Sequence, residues 1–82
     1  MSMASTADTQ EACRHVLGYH GYEGGYPPGG FTTQLIELWA KADMNNQARL
    51  AVAFPAMGYA IRLLPRGEIE KLKDVALDGV IR

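Results

Sequence analysis

"LAVAFPAMGYAIRLL", residues 50–64, is the stretch that sets how many helices this chain has. Leu50, Phe54, Met57, Ile61 and Leu64 are spaced four, three, four and three apart, the seam of a bundle helix. Pro55 sits inside that seam. Its ring removes one ladder hydrogen bond and clashes with the preceding turn, so a kink or a break is expected at Phe54. Read as one kinked element, this is the third and most buried helix. Ala51, Ala53, Ala56, Gly58 and Ala60 are small and would admit a close neighbour, although Gly58 lowers helix propensity. Pro65 and Gly67 end the segment.

Toward the N-terminus the pattern stays helical. Phe31, Leu35, Leu38, Trp39 and Ala42 fall on one face of a second helix, with Phe31 as its inward-facing start. Gly30 or Thr32 is the expected cap. "ADMNN" ends that helix, and Asp43 or Asn45 caps the next one. Asp43, Asn46 and Arg49 lie three apart and fit a hydrogen-bonded network across this elbow. The second and third helices therefore read as an antiparallel hairpin at the centre of the domain.

Ahead of the hairpin lies "GYHGYEGGYPPGGF", residues 18–31, with six glycines, three tyrosines and two prolines. It reads as a long Gly/Pro/Tyr loop over 18–30. A first helix precedes it, with Asp8 as N-cap, Glu11 returning the capping bond, and Ser5 as the alternative cap. Ala12, Cys13, Val16 and Leu17 form its apolar stripe; residues 1–7 read as a flexible tail. Beyond the third helix, "RGEIEKLKDVALDGVIR", residues 66–82, carries eight charges balanced in sign. Ile69, Leu72, Val75 and Ala76 make it an amphipathic C-terminal helix, packed either on its own subunit or on a partner.

The expected fold is a single all-α domain over residues 1–82, a compact bundle of three to four helices. Strand periodicity is missing. Hydrophobic residues make up 48% of the chain, a surplus for so small a domain, and self-association would cover it. A homodimer through the small residues of the third helix and the fourth helix is the expectation. The net charge is −1 with scattered basic residues, which gives no long-range pull on nucleic acid or anionic membranes. The uncharged apolar run Leu50–Ile61 is shorter than the ~20 apolar residues that span a bilayer. A lone cysteine, Cys13, and no signal-peptide pattern point to a soluble cytoplasmic protein.

Enzyme chemistry finds no constellation. Cys13, His15, His20 and Glu23 lack the paired spacing of zinc ligands, and nothing orients a Cys–His pair for nucleophilic attack. The glycines before the second helix lack the order of a phosphate loop and its Lys-Ser/Thr. No catalytic residue, metal or cofactor is expected. Two binding readings remain. Tyr19, Tyr22, Tyr26 and Trp39 are candidate anchors of a protein-binding surface, because rigid rings lose little entropy when fixed. Alternatively, Asn45, Asn46, Gln47 and Arg49 would lead the recognition helix of a helix-turn-helix-like DNA binder. Sparse phosphate-contacting cations make nucleic acid the weaker expectation.

Residues 25–64 resemble a group of small proteins of unknown function from actinobacteria and their phages. The resemblance rests on Gly25, Tyr26 and Pro27, then Phe31, Thr32 and Thr33, then Leu35, Ile36 and Glu37. It continues through Ala42, Asp43, Asn46, Arg49, Leu50, Ala51, Phe54 and Pro55, about half the chain. It implies a phage-encoded protein acting in the cytoplasm of an actinobacterial host, and no site residues; by analogy with other short non-enzymatic phage proteins, the expected partner is a host protein.

Overall fold

The structure, a computed structural model, describes residues 6–65 and 67–78. These form five helices: α1 (Thr6–Tyr19), α2 (Gly30–Lys41), α3 (Met44–Ala53), α4 (Pro55–Leu63) and α5 (Ile69–Asp78). The all-α class holds, but the count of three to four helices does not. The extra helix comes from Pro55, which breaks the expected third helix in two. Phe54 takes φ −131° and ψ 71°, outside the helical region, and serves at once as C-cap of α3 and N-cap of α4. The residue before proline is biased away from helical geometry, and proline at the first helical position loses no bond it would have made. The backbone accounts for itself through the break. Phe54 N–H donates to Leu50 O at 2.7 Å, and Gly58 N–H to Phe54 O at 2.9 Å.

The break also changes which side faces inward. Of the expected seam only Met57 is buried; Leu50, Phe54, Ile61 and Leu64 are half-buried. The buried face of α4 is Met57, Ala60 and Leu63, and α3 buries no residue at all. Two of the small residues expected to meet a second subunit, Gly58 and Ala60, are used inside the chain. Ala60 is fully buried, and a Cβ on Gly58 would lie 3.2 Å from Ala51 Cβ and 3.4 Å from Trp39 Cζ2. Gly58 is thus where α3, folded back on α4, and the α2 indole converge.

The centre of the domain is α1, and the expected antiparallel hairpin of α2 and α3 does not form, because α3 folds back on α4 instead. The most extensive contacts of α1 are with α5 and α4. Thr9, Ala12, Cys13, Val16 and Leu17 fall at i, i+3, i+4, i+7 and i+8, and all are buried. Leu72, Val75 and Ala76 of α5 meet that stripe from the same chain. Two polar side chains of α1 close the other end of α5. Arg14 Nε donates to Ala76 O at 2.9 Å, and Gln10 Nε2 to Ala76 O and Leu77 O at 3.1 and 3.2 Å. These carbonyls belong to the last turn, which lacks helical partners and carries partial negative charge, so a cation there is stabilising.

The start of α1 differs from expectation as well. The helix is already formed at Thr6, so Asp8 lies inside the first turn rather than at the cap. Ser5 and the rest of residues 1–5 lie outside the described residues. At its end, Gly21 at φ +78° reverses the chain. Gly21 N–H donates to Gly18 O at 3.1 Å and Tyr22 N–H to Leu17 O at 2.9 Å, the paired bonds of a Schellman cap.

Candidate functional site

The long loop is laid on α1 by two glycines. A Cβ on Gly25 would overlap Arg14 O and Gly18 N, and one on Gly18 would overlap the Tyr26 carbonyl. Tyr26 N–H bonds Arg14 O at 3.3 Å across this crossing. The three loop tyrosines end up at the surface, each about two-fifths exposed. Tyr19 OH donates to Glu37 Oε2 at 3.3 Å, and its ring meets His20 edge-on at 5.0 Å. Partial desolvation and then the Glu37 carboxylate push its phenol above the ordinary tyrosine value. Tyr26 stands edge-on to His15 at 5.2 Å. Trp39, grouped with the tyrosines by residue type, is only 6% exposed and lies against Gly58. It is core and offers no ring to a partner.

The polar residues of the α2–α3 elbow serve the elbow. Asp43 Oδ1 accepts from Asn46 N–H at 2.8 Å, an N-cap bond. Arg49 Nη1 donates to Asn46 Oδ1 at 3.0 Å. Gln47 Nε2 reaches back to Trp39 O and Ala42 O at 3.3 and 3.1 Å, covering the end carbonyls of α2. Asn45 is exposed beside them. Three of the four residues of the DNA-reading set therefore have structural bonds, and Asp43 adds a negative charge among them.

Cys13 belongs to the core. Cys13 is fully buried, and burial pushes its thiol up to about 11, so it is a protonated filler rather than a nucleophile. Tyr59 OH is buried without a hydrogen-bond partner. Burial first, then the Cys13 and Glu68 charges, raise its phenol against the opposing Arg62. Among the described residues no three His, Cys, Asp or Glu side chains converge on a metal position. No helix there is long and apolar enough to cross a membrane.

What the chain does build is a cleft of about 290 Å³ where α1 and α2 meet the α3–α4 break. Its floor is Ala12, Leu35 and Met57, and one side is Phe31, Ala53, Phe54 and Pro55. Asp8, Glu11 and His15 of α1 form the other side. Phe31 was expected to point into the core. Instead its ring is 70% exposed and leans on Phe54 at 6.0 Å, because the buried face of α2 is Leu35, Ile36 and Trp39 and its first turn overhangs the core. Sequence reasoning missed this site. Its walls come from three segments at least sixteen residues apart, and the one local trace was Asp8 and Glu11 at i, i+3, which looked like a capping box. Compared with protein-family models, with curated proteins and with solved structures, the chain matches none of them.

Proposed function

We infer that this chain is a small non-enzymatic protein-interaction module whose docking surface is the cleft at the α3–α4 break. The supporting observation is Phe31: a large ring, 70% exposed, at the mouth of an apolar cleft in a domain with a full core elsewhere. Interfaces concentrate their energy in a few such rings set in pockets. The loop tyrosines form a secondary rim, with Tyr26 bracing His15 at the cleft's end. On the resemblance of residues 25–64, the partner is a host protein met in the cytoplasm of an actinobacterial cell by a phage-encoded protein. The apolar surface around the cleft also suits association of two copies.

The test is capture followed by reconstitution. A partner recovered from lysate with the wild type should rebind as a purified protein. The Phe31→Ala variant should weaken it at least tenfold, as expected of a hot-spot ring. Equal affinity for the variant, with loss only in a Tyr22→Ala, Tyr26→Ala double variant, would move the surface to the loop.

A further inference from the structure

Resting on that reading of the cleft, we propose that its occupant is a single amphipathic helix of a partner protein, with two apolar side chains one turn apart and lysine or arginine along one flank. Charge carries this first. The cleft lining holds two carboxylates, Asp8 and Glu11, and no lysine or arginine. Both carboxylates are exposed and stand on one wall only; the facing wall of Phe31, Phe54 and Pro55 is uncharged. A ligand that is apolar on one side and basic on the other fits that asymmetry, and an acidic ligand is repelled.

Size and spacing point to a helix. A volume of about 290 Å³ is roughly twice the ~150 Å³ cavity that takes one benzene, so two large side chains fill it. Asp8 and Glu11 are three apart on α1, hence neighbours on its surface. Basic residues at i, i+3 or i, i+4 of a partner helix repeat the same spacing. A ligand that binds by adding a β-strand would need a sheet edge to pair with, and the described residues contain no strand. A second copy fits less well. The exposed stripe of α3, Met44 and Val52, is flanked by the single cation Arg49, which already bonds Asn46.

The experiment is selection of a displayed library of helical peptides, randomised on both faces, against the folded protein. Binding is mapped by amide chemical shifts, and sedimentation of the protein alone is run alongside. The expected winners carry an apolar pair at i, i+4 and a basic flank, and shift Leu35 and Phe54. An Asp8→Lys, Glu11→Lys variant should weaken them about tenfold and select acidic flanks instead. Should that variant misfold, Glu11→Gln serves, with a smaller loss that added salt reproduces in the wild type. Winners that map to the cleft without charge preference would overturn the basic-helix proposal and leave the interaction module standing. Winners that map elsewhere, or none, would overturn the helix proposal, while the module reading is decided by Phe31→Ala against the captured partner. A dimer whose association is broken by Phe31→Ala would replace the partner helix with a second copy.

Discussion

Gly25 illustrates how much of this fold hangs on a missing methyl group. The loop lies on α1 because Gly25 and Gly18 let two backbones touch, and the atoms a Cβ would strike are main-chain atoms that cannot rotate away. Gly25→Ala is therefore expected to cost about 2–3 kcal/mol, at the upper end of overpacking effects. Gly30→Ala is the control. Nothing lies within 4 Å of its added Cβ, and it begins α2, so the change should be neutral or stabilise by about 0.4–1 kcal/mol. Equal urea midpoints for the two variants would refute the crossing. Cys13 gives a second residue-level expectation. Its folded thiol is raised from 9.0 to about 11, so the protonated form is the one the fold favours. The associated stability is complete below pH 9 and is lost as pH rises through about 11, because the unfolded chain ionises first. The loss approaches about 3 kcal/mol at one unit of pKa per 1.4 kcal/mol. Tyr59, raised in the same direction, adds to the fall above its ordinary value. Stability measured from pH 8 to 11 should decline, and Cys13→Ala should flatten the part of the slope below pH 10.

At the scale of elements, the α3–α4 break divides what can be read locally from what cannot. The N-cap of Asp43 and the Arg49–Asn46 bond were legible, because both partners sit within one turn. The stripe Ala12, Cys13, Val16 and Leu17 was legible for the same reason: its spacing alone sets its face. Pro55 announced a break. The direction taken after it did not follow, since ψ 71° at Phe54 turns α4 so that Ala60 and Leu63 replace Ile61 and Leu64 in the core. Likewise Phe31 has the right phase for the inner face of α2, but its position along the axis lies beyond the core it would enter. The cleft combines both unreadable quantities, an angle and an axial offset. Gly58 is the pin of this elbow. Gly58→Leu places a side chain where Ala51 and Trp39 already stand, and it should cost about 1–3 kcal/mol while prying α3 from α4. A Trp39 fluorescence shift should accompany the loss. Unchanged stability and unchanged emission would show that α3 does not rest on Gly58.

For the whole molecule, the radius of gyration of 11.6 Å matches the roughly 12 Å of a packed domain of this length. Compactness does not make its parts equally stable. α1 is in contact with α2, α4 and α5, so opening any of these exposes its stripe, and those helices should unfold together. α3 differs: it buries no residue, Met44 and Val52 are each more than four-fifths exposed, and the hydrogen bonds at its start are local to the elbow. Few buried contacts mean a low cost of local opening. Native-state hydrogen exchange should therefore find amides of α1, α4 and α5 protected to a common limit, with α3 exchanging at least roughly tenfold faster. Leu72→Ala sharpens the distinction. Removing this fully buried side chain should cost about 2–5 kcal/mol, lower the shared limit, and leave the exchange of α3 almost unchanged. If α3 instead lost protection in step with α1, the five helices would be one cooperative unit. Ala53 and Phe54, at the end of α3, line the cleft beside a core that stays closed, so a helix that opens alone would let that wall adjust to a guest without loosening α1.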